Sequence, residues 1–498
     1  MSIASSIALD STQDLAAPQE RRTGSIRVIA GMIALATVAL FIMSGARHFV
    51  LRSGAFDLGF FDQAVWLISQ GQTPISSLRD FHALADHASF ILYPLALLYR
   101  IWADPRMLLL TQAFALALGA WPVFRLSRGA GLTEHQSYAI AGAYLMYPFV
   151  LTANLFDFHP ETLAMPALLM AILAARESRP VRFCIWIAIV LACKEVLALT
   201  VVAMGIWLLL FERRRFYGSF ALAAGTLWFI FALRIVIPYF GDGRNPSGMN
   251  YYGYLGSSMS QIIWTMILRP DIVLGRCLST DGLKYIVLLV APAIWGLHFK
   301  TLAPLIVCVP TIVLNLLSDI PAQRSPFYQY SVPMVPFFFM AIILAVSTKS
   351  AWILRPRYIT AWAVSLLVLG LAVRIGRAQD GQSIDFHSLA EARAAIRQVP
   401  PKGPVLTTFE LLPHLSRRPL VHYIGGHRIS EHLPLEEYGS VLLSFDHQSM
   451  TDYEGWAYQT VEVLRHDPDF SVAYEGEDVV LFVRSMTDPA EWAQSADD

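Results

Sequence analysis

Charge is what this sequence has least of. Lys, Arg, Asp and Glu supply 15% of its 498 residues, against about 25% in a soluble globular chain. The shortfall is local. Apolar runs long enough to cross a bilayer recur from Val28 to Val373, while the chain from Gln379 onward has soluble composition. Hydrophobic residues reach 55%, and mean hydropathy is +0.49. A net charge of −1 gives no case for nucleic acid as a partner. The four cysteines (Cys184, Cys193, Cys277, Cys308) form no CxxC and no disulfide framework, and read as small apolar residues. No GxGxxG and no GxxxxGK[ST] supports nucleotide binding. No internal repeat is evident, which removes one common signature of transporters. What remains is a mainly α, polytopic helical membrane protein with a small C-terminal soluble α/β domain.

The apolar runs predict about eleven spans: 28–46, 107–127, 136–154, 162–175, 181–193, 196–211, 217–238, 283–298, 301–317, 328–346 and 358–373. Residues 1–25 read as a disordered cytoplasmic tail, and 487–498 as a disordered tail at the other end. Arg21, Arg22 and Arg27 precede the first run. A cleavable signal peptide would carry its basic region near residue 1, so 28–46 is read as an uncleaved span. Those arginines set the N-terminus in the cytoplasm. Alternation then puts 127–135, 176–182, 212–216, the Lys300 turn and 348–357 inside, and each is basic. The fit requires the apolar stretch 87–102 to be interfacial or re-entrant. The membrane domain is therefore 26–376 of an inner, multi-pass membrane protein. The loops 47–106, 155–161, 239–282 and 318–327 face out, as does the α/β domain 380–486.

Polar residues gather on that outer face. "FDLGFFDQAVW" puts Asp57, Asp62 and Gln63 among aromatics, as in an amphipathic helix lying on the membrane. Asp57 either meets a substrate at headgroup level or caps this helix. Asp80, His82, Asp86 and His87 have residue types that suit a divalent ion, but their spacing also suits solvated loop positions. "LFDFHPET" alternates Asp157, His159 and Glu161 in a very short connection. Such groups at the mouth of two spans are costly unless used, as a base with its orienting partner or as metal ligands. The alternative is an interfacial turn with Glu161 at a helix start. Lys194 and Glu195 interrupt a long apolar stretch, where a lysine can hold a phosphate or pair locally. Arg244, with the glycines and tyrosines around it, and Tyr328 complete the candidate substrate contacts. In the tail, His414, His422, His427, His432 and His447 have no metal spacing.

"FDLGFFDQAVW", "DHASFILYPLALLY", "LFDFHPET", "CKEVLAL" and "LLPHLSRRPLVHYIG" together resemble a family of prokaryotic polytopic membrane proteins, domain of unknown function family 2079. That family is distantly similar to the GT-C superfamily of integral-membrane glycosyltransferases. Many relatives follow the Lys–Glu pair with an aspartate, where this chain has Val196. The resemblance implies a sugar donor on polyprenyl phosphate and an extracytoplasmic glycan, lipid or protein acceptor. Asp57 matches the acidic residue of the first outer loop, which serves there as catalytic base or substrate contact. Asp157, His159 and Glu161 match a second acidic site. No cofactor is required by any motif; a divalent metal ion is the one candidate. The rival expectation is a transporter, or a lipid-handling or assembly protein, whose acidic groups line a polar path without covalent chemistry.

Overall fold

The computed structural model describes residues 19–243, 247–325, 328–379, 385–424, 434–445 and 455–485. Arg244, His427, His432 and His447 lie outside these segments, as do the ends of both expected tails. The first helix, Gln19–Phe49, starts within the expected N-terminal tail.

Among the described residues, four helices are by themselves long and apolar enough to cross a membrane: Gly24–Phe49, Pro105–Gly129, Arg215–Phe240 and Gln329–Ser347. Pro270–Leu278 and Thr280–Gly296, bent by 61°, would make a fifth as one broken span. The expected count of about eleven spans is not confirmed by these helices, because proline and polar breaks divide several of the apolar runs. The run 136–154 divides before Pro148 into Glu134–Leu145 and Pro148–Asn154. The runs 181–193 and 196–211 become Pro180–Cys193 and Leu197–Leu210, 14 residues each. Fourteen residues rise about 21 Å, short of a hydrocarbon core of about 30 Å. The stretch 87–102 holds an eight-residue helix, Leu92–Tyr99, about 12 Å long. The expected loop 239–282 instead carries the apolar helix Met259–Leu268 and then Pro270–Leu278.

Apolar side chains from these helices merge into one buried core. In it Leu197–Leu210 packs closely on Arg215–Phe231, with Gly205, Gly218 and Gly225 in the seam. A Cβ at Gly205 would sit 2.6 Å from the Leu222 nitrogen. Small residues let helix backbones approach where dispersion, not water exclusion, holds them together.

The connections fall into two groups. At one end Arg176 pairs with Glu212 and Arg125 with Glu177, each at 2.7 Å, and Gln136 donates to the Leu354 carbonyl at 3.1 Å. At the other end the 50–104 loop, the 155–160 turn and the 194–196 break meet. The break frees backbone carbonyls, and the loop fills them. The Ile91 N–H donates to Ala192 at 2.9 Å and Ser89 Oγ to Cys193 at 2.8 Å, while Glu195 N–H donates to His87 at 3.2 Å. Non-helical backbone at such depth persists only when it is satisfied in this way.

The first loop carries a two-stranded ribbon, β1 (Ile75–Ser76) and β2 (Phe81–His82). The C-terminal domain is a five-stranded sheet made of β3 (Val405–Thr407), β4 (Val421–Tyr423), β5 (Ser440–Ser444), β6 (Phe470–Glu475) and β7 (Val479–Arg484). The order is β4-β3-β5-β7-β6. β3 runs parallel to β4 and β5, and the antiparallel β7 and β6 complete the sheet. Every residue of β5 is buried, as expected for a strand covered on both faces. Helices Phe386–Gln398 and Trp456–His466 pack on the sheet.

This domain docks on the first loop through buried polar bonds. Gln63 Nε2 donates to Ser77 Oγ at 2.8 Å and to the Arg418 carbonyl at 3.1 Å. Ser77 Oγ donates to the Val421 carbonyl at 2.7 Å, and its carbonyl accepts from His422 Nε2 at 2.7 Å. Asp62 accepts from Tyr99 and, at 2.6 Å, from Ser416. The expected membrane-surface helix is therefore corrected. Phe60–Ser69 is buried on most of its circumference, under the C-terminal domain.

Candidate active site

Asp57 heads this helix but belongs to a turn. Its φ of +70° with ψ of −101° lies outside the left-handed helical well that Asp tolerates. Such a conformation costs about 1–3 kcal/mol and persists only where its surroundings over-determine it. Two glycines flanking the turn provide for that. A Cβ on Gly54 would meet the Phe409 ring at 2.7 Å, and one on Gly59 would meet Leu412 at 2.7 Å. The C-terminal domain therefore backs directly on the Asp57 turn. Asp57 makes no cap bond to the helix, and its side chain stays 33% exposed.

Opposite stands the 155–160 turn. Asp157 also has positive φ, +84°. Its carboxylate pairs with Arg47 and accepts the Gly54 N–H at 3.0 Å, so it ties this turn to the Asp57 turn. Gln112, fully buried on Pro105–Leu118, holds the backbone. It donates to the Asp157 carbonyl at 2.8 Å and accepts the His159 N–H at 3.0 Å. His159 Nε2 then reaches Asp57 Oδ1 at 3.0 Å. Phe156 stacks on the His159 ring at 5.3 Å, and its Nδ1 is buried without a partner among the described residues. Burial works against the imidazolium, but the Asp57 carboxylate outweighs it and raises the His159 pKa above the usual range.

A second charged group adjoins the first. Lys194 follows the last residue of Pro180–Cys193 and Glu161 opens Glu161–Arg176, so each sits where the helix dipole favours its sign. Lys194 Nζ and Glu161 Oε1 are 2.7 Å apart and nearly buried. Glu195 lies 3.3 Å from His87 Nδ1, and Asp86 lies 3.5 Å from His87 Nε2. Burial opposes the His87 imidazolium, yet the two carboxylates raise its pKa.

Both groups face one cavity of about 490 Å³. Asp57, His87, His159, Glu161, Lys194 and Glu195 line it. The remaining wall is largely apolar, including Leu197, Phe229, Leu233, Ile262 and Met266. Four expected site residues do not line it. Asp62 and Gln63 are spent on docking the C-terminal domain. Asp157 is turned toward Arg47, and Tyr328 lies edge-on to Phe156 at 4.5 Å, one ring removed. Arg244 is outside the described residues. Arg79 and Asn315, which no motif marks, and Tyr330 of the 318–330 segment also line the cavity, and Gln112 orients it. Arg79 is one of five arginines in the 47–106 loop, and nothing in the local sequence sets it apart. Gln112 carried a signal, a polar side chain inside an apolar run.

A divalent cation does not fit. Among the described residues no three His, Cys, Asp or Glu side chains group closely enough to hold one. Of the loop set considered as ligands, His82 accepts the Leu84 N–H at 3.1 Å and stacks on Phe240 at 4.2 Å.

These features define an integral-membrane protein in which strained acidic turns, capped by a soluble domain, open onto a half-apolar cavity. The fold is similar to that of ArnT. ArnT from Cupriavidus metallidurans, solved bound to undecaprenyl phosphate, aligns with TM-score 0.52 over 93% of this chain and 99% of its own, at 12% identity. Its apo structure gives the same TM-score at 14% identity, covering 93% and 98%. The mycobacterial arabinofuranosyltransferase AftD aligns at TM-score 0.46 and 14% identity, over 92% of this chain and 40% of its own. Comparison with curated protein sequences finds no match. The family model described as "Predicted membrane protein (DUF2079)" matches residues 47–481, and the chain belongs to that family.

Proposed function

We propose that this protein is a membrane glycosyltransferase that moves a sugar from polyprenyl phosphate to an extracytoplasmic acceptor hydroxyl. The observation that carries the reading is the Asp57 carboxylate. It is held in a costly backbone conformation, partly exposed, on a cavity whose further wall is apolar and which Lys194 also lines. The GT-C fold, and an undecaprenyl phosphate bound to ArnT, support the donor class.

The acceptor oxygen attacks the anomeric carbon and passes its proton to Asp57. The carbon–oxygen bond to phosphate breaks, and polyprenyl phosphate leaves with the electron pair. Attack opposite the leaving group inverts the anomeric centre. His159 donates to Asp57 Oδ1, which fixes that oxygen and leaves the other for the acceptor. Lys194 offsets charge growing on the leaving phosphate. The apolar wall takes the first isoprene units. The meeting of basic connections at one end supports a cytoplasmic end there. The cavity and C-terminal domain then face out from an inner membrane.

Release of polyprenyl phosphate from a panel of polyprenyl-phosphate sugars tests this. Wild type should release it. Asp57→Asn should lose at least about a hundredfold in rate while binding donor and inserting normally. Wild-type turnover by Asp57→Asn removes Asp57 as the base. Folded wild type that binds no donor in the panel favours the transporter.

A further inference from the structure

We infer that Arg79 marks the acceptor subsite, and that the acceptor carries an anionic group, a phosphate or a carboxylate, near the hydroxyl offered to Asp57. This rests on the glycosyltransferase reading and gives its second substrate a chemical class.

Two permanent cations line the cavity, Lys194 and Arg79. Lys194 is engaged by Glu161 at 2.7 Å. Among the described residues no acid engages Arg79. Among the described residues its guanidinium makes no hydrogen bond and no ion pair, and it lies over the Phe56 ring at 4.5 Å from the centroid. A guanidinium stays charged at every working pH and presents five donors in a planar fork. Here the face is covered by the ring and the donors are left for a ligand.

Its position is built. Phe56 directly precedes Asp57, so the guanidinium lies over the residue next to the base. Phe56 is gripped by Tyr423, edge-on at 5.6 Å, and Tyr423 by Phe409 at 5.3 Å, both from the C-terminal domain. The Arg79 turn is pinned separately. Arg79 N–H donates to Ser76 at 3.1 Å, and Ser77 exchanges bonds with Val421 at 2.7 and 3.1 Å. The domain therefore holds both the ring under the guanidinium and the loop that delivers it.

The two cations divide the substrates by their neighbours. Lys194 is followed by cavity-lining Val196, Leu197, Leu199 and Thr200, a wall for a lipid donor. Arg79 stands on a ribbon backed by the soluble domain, which suits a water-borne or envelope-borne saccharide. A planar fork beside an aromatic face fits a phosphate or carboxylate bidentately.

The test compares wild type, Arg79→Ala, Arg79→Gln and Arg79→Lys as full-length protein. Polyprenyl phosphate release is followed with phosphorylated, carboxylated and neutral saccharides as acceptors. One anionic class should be used at least tenfold better than its neutral analogue, and which class responds separates phosphate from carboxylate. Arg79→Ala and Arg79→Gln should raise the acceptor KM roughly 30-fold. Donor KM should not change, and Arg79→Lys should recover part of the loss. Equal use of neutral acceptors overturns the inference, as does an unchanged acceptor KM. A rise in donor KM alone reassigns Arg79 to the donor phosphate and also overturns it. If no donor turns over, the glycosyltransferase reading fails separately. Calorimetric binding of glycerol phosphate and glucuronate then decides Arg79 by itself, and equal binding to wild type and Arg79→Ala refutes it.

Discussion

Lys194 is where a structural and a functional role can be separated. Its ion pair with Glu161 is nearly buried, and removing one partner of such a pair costs about 3–5 kcal/mol because the other charge is stranded. Lys194→Met should therefore lower the unfolding temperature of detergent-purified protein. Adding Glu161→Gln should restore most of that stability by removing the stranded charge. Affinity for polyprenyl phosphate, measured by calorimetry, should remain lost in the double variant. Recovered affinity would make the lysine purely structural. His87, His159, Glu161, Lys194 and Glu195 were all legible as candidates because ionisable groups stand out in apolar surroundings. Asp62 and Gln63 looked the same and are not at the cavity. Their partners, Ser416 and Arg418, are 354 and 355 residues away, and local sequence carries no trace of such a pairing.

Among the elements, short helices meeting at polar breaks make the cavity. The 194–196 break delivers Lys194 because the helix stops there and the 87–91 segment completes its backbone bonds. Sequence reading saw two apolar runs and a charged tip, but not that both helices are too short to span alone. Hydropathy reports burial in any apolar medium, lipid or protein core, and here much of it is protein core. The glycine seam between Leu197–Leu210 and Arg215–Phe231 sets how closely they pack. Gly205→Ala places a Cβ 2.6 Å from one backbone atom and 2.8 Å from the Gly218 carbonyl. Backbone cannot yield as a side-chain tip can, so the helices must separate, at a cost of about 1–3 kcal/mol. A thermal shift in detergent reads the loss, and the exposed Gly129→Ala, with open space around it, should show none.

At the scale of the whole molecule, the C-terminal sheet meets the first loop through a shared apolar cluster and through buried polar bonds, and the polar bonds should respond to pH. Burial raises the Asp62 pKa to about 6, with Ser416 and Tyr99 hydrogen bonds opposing it. The folded protein thus holds this proton more tightly than the unfolded chain. Stability attached to it is fully present near pH 4 and declines as pH rises to about 6, by up to about 3 kcal/mol. Asp62→Asn, which stays neutral, should flatten that window in a pH series of melting curves. An unchanged slope would move the pH response elsewhere.

The membrane class, the soluble tail and most cavity-lining charges follow from sequence alone, because each is a matter of local composition. Apolar runs must leave water, and an ionisable residue beside them must be used or paired. Tertiary structure alone decided which acids face the cavity and which fasten the domains. It also decided that the C-terminal domain, through Phe409 and Leu412, holds the Asp57 turn in its costly conformation. Those outcomes depend on contacts between segments hundreds of residues apart, and such contacts exist only once the chain has closed on itself.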